Sequence, residues 1–258
     1  MMELGLKGKV AIVTGASQGI GHATALRLAA EGAQLVAVAR GRERLDALAA
    51  AIRAAGGAVH PVSADVSRAE DCMRVVEEAV AAFGGVDILV NNAGTSAVGP
   101  FEAATDAIWQ ADLDLKLFAA IRLIRLAVPQ MRTRGGGRIV NVTNIGAKAP
   151  GANTTPTTVT RAAGLAMTKA LSREFAPSGI LVNAVCIGLV RAGQHESRAA
   201  RQGVDLEALY RDMAKTVPLG RVGEADEAAN VILFLVSGAA SFVTGSSVNI
   251  DGGASAVL

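Results

Sequence analysis

The stretch Thr14-Gly15-Ala16-Ser17-Gln18-Gly19-Ile20-Gly21 decides the fold of this chain, because a strand pattern precedes it and a helix pattern follows it. Residues 9–13 are a short apolar run typical of a buried parallel strand, and residues 22–31 carry apolar side chains at helical spacing. Glycines at such a turn let the backbone approach a pyrophosphate and leave helix N–H groups free for phosphate oxygens. The spacing predicts a dinucleotide-binding turn; the alternative is a glycine turn that only packs the helix against the sheet.

Length and composition predict one α/β domain, since a chain of 258 residues that is 51% apolar can bury a large core. The net charge of +2 comes without a dense basic run, so we expect neither a nucleic acid nor a membrane surface as partner. Cys72 and Cys186 are not spaced as a disulfide framework or a metal site. The start lacks an apolar signal core and no apolar run reaches the ~18 residues of a membrane span. We therefore expect a cytoplasmic protein without a metal.

The strand-helix rhythm repeats after the first unit, which predicts a doubly wound parallel sheet. Residues 34–39 form a second apolar strand, and in such sheets the end of this strand meets the adenosine ribose. A carboxylate there binds the 2′-hydroxyl of NAD(H), whereas an arginine binds the 2′-phosphate of NADP(H). The chain has Arg40 and no acid at this place, which favours NADP(H) over NAD(H). A solvated surface arginine is the alternative interpretation.

Two further strand ends carry candidate ligand contacts. Residues 58–61 form a weak third strand, and the Asp65-Val66 pair that follows lies where an adenine ring is contacted. A fourth strand over residues 87–90 runs into Asn91-Asn92-Ala93-Gly94. A polar, glycine-bearing exit at the carboxyl end of a parallel strand is the usual place for a ligand in these sheets.

Taken together, these motifs resemble the short-chain dehydrogenase/reductases, particularly the 3-oxoacyl carrier-protein reductases. The resemblance covers nearly the whole chain and implies a seven-stranded sheet in the order 3-2-1-4-5-6-7, bound NAD(P), an unknown small-molecule substrate and usually a homotetramer. The motifs that carry it are residues 14–21, Asp65-Val66, residues 91–94, residues 137–141, Pro218-Leu219-Gly220-Arg221 and Asp251-Gly252-Gly253. The cofactor-binding residues that we predict are Gly15, Ser17, Gln18, Gly19, Ile20, Gly21, Arg40, Asp65, Val66, Asn92, Ala93, Gly94, Arg161 and Gly188.

The resemblance also implies where the catalytic side chains should lie, and each matching position here is changed. The family transfers hydride between a nicotinamide and a carbonyl or alcohol, using a tyrosine, a lysine four residues later, a serine and an asparagine. In this chain the serine position is Asn144, the tyrosine position is Thr157 and the lysine position is Arg161. We place the asparagine position at Asp114.

These replacements predict an impaired proton-transfer site. A threonine hydroxyl has a pKa far above the reference value of tyrosine, so Thr157 needs a partner that the sequence does not reveal. Arg161 keeps its proton but can bind ribose hydroxyls, and Asn144 can hydrogen-bond a substrate carbonyl. Asp114 and Arg161 are candidates for a buried ion pair. An alternative function is therefore a non-catalytic protein that binds cofactor or metabolite as a sensor or partner subunit.

The end of the predicted sixth strand, residues 180–185, leads to the nicotinamide side. The family usually has Pro-Gly and then a threonine there; this chain keeps Gly188 but has Ile187 and Ala192 at the other two positions. Cys186 is either a nucleophile or a small buried hydrophobe. Residues 193–217 are charged and amphipathic, which suits a mobile lid, and His195 and Glu196 within it are either proton-transfer groups or a solvated pair.

Overall fold

The computed structural model describes residues 3–193, 199–200 and 203–258. Within them, seven strands form one parallel sheet in the order β3-β2-β1-β4-β5-β6-β7, as the sequence and its resemblance predicted. The strands are β1 (Val10–Thr14), β2 (Gln34–Ala39), β3 (Val59–Ser63), β4 (Ile88–Asn91), β5 (Gly137–Asn144), β6 (Ile180–Ile187) and β7 (Ser247–Ile250). The α-helices that lie wholly within the described residues are α1 (Gly19–Ala30), α2 (Arg42–Ala54), α3 (Ala69–Phe83), α4 (Asp106–Leu113), α5 (Ala119–Thr133), α6 (Thr157–Phe175), α7 (Leu206–Ala214) and α8 (Ala225–Val236).

The central strand β1 explains why the sequence pattern is continuous rather than alternating. Val13 pairs with Ala37 of β2 on one side and with Val90 of β4 on the other, and all five residues of β1 are buried. A parallel strand covered by helices on both faces must be apolar at successive positions. The short run before the glycine turn is therefore the middle of the sheet.

Helices cover both faces and enclose two apolar layers. One layer packs α1, α2 and α8 against the sheet, with Leu28, Leu45 and Ile232 fully buried. The other packs α3 and α5 against the opposite face, with Val75 and Leu123 at its centre. No helix in the described part of the chain combines the length and apolar character needed to cross a bilayer.

The helical region over residues 105–134, where apolar residues recur at three- and four-residue steps, is interrupted in a way that this spacing does not indicate. A five-residue π-helical segment, Asp114–Phe118, separates α4 from α5. The wider π turn changes which side chains face inward, and such segments are frequent at functional sites. The third strand also extends further than predicted, to Ser63.

A buried carboxylate fixes the end of the sheet opposite the glycine turn. Asp87, just before β4, accepts a hydrogen bond from the Val10 N–H at 2.8 Å and binds the Arg134 guanidinium at 2.8 Å. This pairing raises the pKa of Arg134. The first residue of the central strand is thereby held by a side chain of the strand beside it.

We expect Asp87→Ala to lower the free energy of unfolding by roughly 3 kcal/mol. The change leaves the buried Val10 N–H without its hydrogen-bond acceptor and Arg134 without its carboxylate partner. Urea denaturation measures the loss. The control is Asp226→Ala, which removes an exposed pair with Arg27 and should cost less than about 1 kcal/mol. Equal losses in the two variants would contradict the assigned role of Asp87.

Candidate functional site

The carboxyl ends of the strands open into one cleft of about 570 Å³. Most of the residues predicted from the sequence line it; Gly21 and Asp114 do not. The predicted residues on its wall are Gly15, Ser17, Gln18, Gly19, Ile20, Arg40, Asp65, Val66, Asn92, Ala93, Gly94, Asn144, Thr157, Arg161 and Gly188. The glycine turn, the adenosine side and the reaction side of the predicted site are thus continuous.

The glycine turn has the backbone geometry of a phosphate cradle. Gly15 and Gly19 have φ of 67° and 57°, a region that favours glycine. Gly21 lies behind the turn, where a Cβ would stand 2.3 Å from the Gly15 carbonyl oxygen and 2.4 Å from Asn92 Nδ2. A side chain at Gly21 would therefore push the turn away from β4. Because α1 begins at Gly19, its first N–H groups face the cleft and fit a pyrophosphate.

Thr14 and Asn92 hold this turn against the end of β4. The Thr14 hydroxyl accepts hydrogen bonds from the N–H groups of Asn92 and Ala93, both at 3.0 Å. Asn92 Nδ2 donates to the Thr14 carbonyl at 2.9 Å. We predicted Asn92 as a cofactor ligand, but its side-chain Nδ2 is hydrogen-bonded to the protein backbone. Thr14 is a site residue that was not among the predicted cofactor ligands.

On the adenosine side, Arg40 and Arg42 differ in their partners. Arg42 forms an ion pair with Asp46, one turn along α2, at 2.9 Å. Within the described residues no carboxylate pairs with Arg40, so its guanidinium is free for another anion. Asp65 Oδ1 accepts from the N–H and hydroxyl of Ser67, which shapes the loop after β3. Gln18 contacts Arg44 and packs against Gly193, where the predicted lid begins.

On the reaction side, Thr157 has a partner that the sequence did not reveal. Lys116 Nζ donates to Thr157 Oγ1 at 2.7 Å, and the Ala97 N–H donates to the same oxygen at 2.8 Å. Lys116 stands in the middle of the π segment with its side chain only 1% exposed. A buried lysine beside the predicted reaction centre is therefore the chemical group that sequence reasoning missed. The clue was an isolated lysine four residues after an acid in a largely apolar stretch.

Burial and two neighbouring charges set the pKa of Lys116. Burial lowers its pKa to about 8, and the like charge of Arg161 contributes to that lowering, while Asp112 raises it. Lys116 is thus protonated at neutral pH but releases its proton far more readily than a surface lysine. A group with that property can supply or accept a proton near physiological pH.

Asp114 is not where we predicted it to act. Its carboxylate binds the Arg122 guanidinium at 3.3 Å, and the candidate ion pair with Arg161 is not formed. Arg161 instead donates to the Val142 carbonyl, and its other terminal nitrogen lies against Gly94. The reason is the π segment, which turns Lys116 rather than Asp114 toward α6.

Burial lowers the pKa of Arg161 to about 10, which leaves it protonated at neutral pH. A cavity of about 20 Å³, large enough to hold one water molecule, lies behind it. In the part of the chain that the structure describes, Arg161 Nε and Asn91 Oδ1 are buried without a hydrogen-bond partner, and both residues line this cavity. Arg161 thus borders the cleft on one side and a small cavity with a mixed polar and apolar lining on the other.

The remaining candidates divide between ligand-facing and structural roles. Asn144 lines the cleft, and its buried Oδ1 has no hydrogen-bond partner in the described part of the chain. A Cβ on Gly188 would stand 2.6 Å from Asp251 Cβ, so this glycine is required where β6 ends beside β7. Cys186 is fully buried against the Thr143 hydroxyl, which fits the small-hydrophobe interpretation.

Within the predicted lid, the structure describes residues 193, 199–200 and 203–217, which include α7. Arg191 pairs with Glu207 of α7 and with Glu224 before α8, and its guanidinium stacks over the Tyr210 ring at 4.4 Å. These contacts tie the segment after β6 to α7 and α8. His195 and Glu196 lie outside the described residues.

Comparison with known proteins agrees with this architecture. A family model described as enoyl-(acyl carrier protein) reductase matches residues 15–255. The 3-oxoacyl-[acyl-carrier-protein] reductase of Thermotoga maritima is 36% identical over 250 residues, which is 96% of this chain and 98% of that protein. The chain belongs to the short-chain dehydrogenase/reductase family. It is accordingly an oxidoreductase by family, with a Rossmann-type nucleotide fold.

Two solved structures show the same fold with a nucleotide bound. L-sorbose reductase from Gluconobacter frateurii, complexed with NADPH and L-sorbose, is 37% identical with a TM-score of 0.95 and full coverage of both chains. An NADPH-bound short-chain oxidoreductase from Pseudomonas aeruginosa PAO1, described as containing an atypical catalytic center, is 36% identical with a TM-score of 0.92 and covers 99% of this chain and 100% of its own. Together with the glycine cradle, they support binding of an NAD(P)-type cofactor in the cleft.

We expect Gly21→Ala to weaken NADPH binding, because the new methyl group overlaps the Gly15 carbonyl and the Asn92 amide. Overpacking of a rigid site costs roughly 1–3 kcal/mol, or about 5- to 150-fold in affinity if the bound state carries the strain. Fluorescence titration with NADPH measures it. Gly238→Ala is the control, since its Cβ meets only the Leu4 carbonyl at 3.5 Å. Unchanged affinity in the Gly21 variant would argue against this cradle.

Proposed function

We propose that this protein is an NADP(H)-dependent reductase of a small carbonyl compound, in which Thr157 and Lys116 move the proton that the family's usual tyrosine and lysine move. The observation that carries the proposal is the 2.7 Å hydrogen bond between Lys116 Nζ and Thr157 Oγ1 at the wall of the cleft. The sequence alone indicated a threonine without a partner. The lysine supplies one.

The hydrogen bonds around Thr157 set the direction of its own proton. A threonine hydroxyl has one donor and two acceptor positions. Lys116 and the Ala97 N–H occupy the acceptor positions, and within the described residues no protein group accepts the hydroxyl proton. The O–H is therefore left to bind an oxygen in the cleft, where a substrate carbonyl would sit beside Asn144.

NADPH supplies a hydride when it is bound. Thr157 then donates its proton to the carbonyl oxygen of the substrate while its own oxygen takes a proton from the Lys116 ammonium. One hydride and one proton reach the substrate, Lys116 becomes a neutral amine, and solvent restores its proton. Arg161 stays charged throughout, and its position against Gly94 at the cleft wall supports a role in binding ribose hydroxyls.

The preference for NADP(H) over NAD(H) rests on Arg40. Its guanidinium has no carboxylate partner among the described residues, and it lines the cleft at the end of β2, where the ribose of the adenosine lies in this fold. The similar structures with NADPH bound support this choice.

A homotetramer in the cytoplasm is the assembly and location that we propose. The family resemblance supports the tetramer, and so do the large apolar side chains exposed on the surface, among them Phe118, Val159 and Phe242. Two free buried cysteines are compatible with a reducing compartment.

We expect Thr157→Val and Lys116→Met each to lower kcat at least ~100-fold, because each breaks the proton path, with little change in NADPH affinity. The double variant should be no slower than either single one, since both residues serve one step. Ketone and enone reduction, with L-sorbose in the panel, is followed by NADPH oxidation. Thr133→Val, an exposed threonine on α5 that bonds only the Pro129 carbonyl, is the matched control.

The pH dependence follows from the same pair. Reduction needs protonated Lys116, whose pKa is about 8, so kcat should be level below that pH and fall above it. NADPH binding without turnover on any member of the panel would instead support the non-catalytic alternative. Full activity in both variants would place the proton donor elsewhere.

We expect Arg40→Asp to reverse the cofactor preference. Loss of a charge-assisted bond to the 2′-phosphate removes roughly 1.5–3 kcal/mol, or about 10- to 150-fold in NADPH affinity, while the new carboxylate can bind the NADH ribose. Titrations with both cofactors measure the ratio. Arg42→Ala should change it much less, because that guanidinium is held by Asp46. An unaltered ratio in the Arg40 variant would refute the assignment.

A further inference from the structure

The carboxylate of Asp112 is buried beside the proposed proton path. Asp112 lies in the last turn of α4 and is 4% exposed. One of its oxygens pairs with Lys116 Nζ, and the other accepts a hydrogen bond from Thr160 Oγ1 at 2.6 Å. A carboxylate is costly to bury unless it is paired and hydrogen-bonded, and here both conditions are met.

These contacts join the two elements that carry the proton path. Asp112 and Lys116 are four residues apart across the change from α4 to the π segment. Thr160 lies on α6, one turn after Thr157, and its hydroxyl also contacts the Thr157 carbonyl at 3.0 Å. The carboxylate therefore bridges the segment that bears the lysine and the helix that bears the threonine.

The charged groups that face Lys116 are few. Asp112 from α4 raises its pKa, and Arg161 from α6 lowers it. The strand residues on the neighbouring cavity wall, Asn91 of β4 and Asn141 of β5, are neutral amides. Asp114, in the same π segment, is paired with Arg122. Asp112 is thus the anion that offsets the cost of a buried ammonium beside an arginine.

From this geometry we propose that Asp112 is a positioning residue, which keeps the Lys116 ammonium protonated and directed at Thr157 Oγ1 while Thr160 holds the carboxylate in place. The inference rests on the function proposed above, since it assigns the regulation of the same proton path. Asp112 is not among the described residues that line the cleft, so it acts on the substrate only through Lys116. A buried ion pair that served stability alone could be replaced by apolar residues without loss.

The test reads the charge of Lys116 directly and does not depend on turnover. Protein labelled with ¹³C at lysine Cε is titrated by NMR, and the Lys116 signal is identified by its absence in Lys116→Met. In the wild type we expect a midpoint near pH 8. In Asp112→Asn the midpoint should fall by roughly one to three pH units, because the attracting charge is gone.

The matched control for this titration is Asp114→Asn, which removes a carboxylate two residues away that faces Arg122. Its Lys116 midpoint should equal that of the wild type. In Asp112→Asn the falling limb of kcat against pH should move to lower pH with the midpoint, while KM for NADPH stays unchanged. Asp112→Glu should recover part of both shifts.

An Asp112→Asn protein in which Lys116 titrates as in the wild type overturns the proposal, whatever its activity. If the Lys116 midpoint shifts in Asp112→Asn but the wild-type protein reduces none of the carbonyl compounds, the role of Asp112 is supported and the proposed reductase function is refuted. Should Asp112→Asn not fold, Thr160→Val is measured in the same way. Without the Thr160 hydroxyl the Asp112 carboxylate loses a hydrogen bond, so we expect the Lys116 titration midpoint and the falling limb of kcat against pH to move to lower pH by a smaller amount. An unchanged Lys116 midpoint in Thr160→Val counts against the proposal.

Discussion

The close approach of the first turn to the end of β4 is the constraint on which the site depends. Thr14 and Asn92 exchange hydrogen bonds across these two strand ends, and the missing side chain of Gly21 lets them do so. If the turn lay further from β4, the α1 N–H groups would not face a pyrophosphate, and the turn would no longer form one wall of the cleft. A side-chain amide that binds protein can therefore matter to a ligand as much as one that binds the ligand itself.

A second constraint is the low dielectric behind the cleft. Lys116, Asp112 and Arg161 lie close together where water screens charges poorly. Burial lowers the pKa of Lys116 and of Arg161, the Asp112 carboxylate raises both, and the charge of Arg161 lowers that of Lys116 further. The same three residues on the surface would contribute little. Burial makes a lysine useful near neutral pH, and it also makes the lysine dependent on a carboxylate.

The βα units of the fold could be predicted from residues alone because their determinants are local, whereas the strand order came from the family resemblance. A buried run of five residues, a glycine turn and an amphipathic helix specify a βα unit wherever they occur, and parallel pairing brings the ends of such units to one edge. The predicted cofactor residues on the cleft wall, such as Arg40 and Asp65, follow from that rule. The π segment did not follow, since one extra residue in a turn leaves the apolar pattern almost unchanged.

By itself, the sequence determined the βα units and the glycine turn, and its resemblance to the family implied the strand order and put Thr157 at the family's tyrosine position. Tertiary structure alone decided which groups surround these residues: Lys116 lies 41 positions before Thr157, and Asp112 lies 48 positions before Thr160. Neither pair has a periodicity or a motif, because the contact depends on how α4, the π segment and α6 pack. Local patterns specify elements, whereas the charge state of a buried group is set by whichever elements the fold places around it.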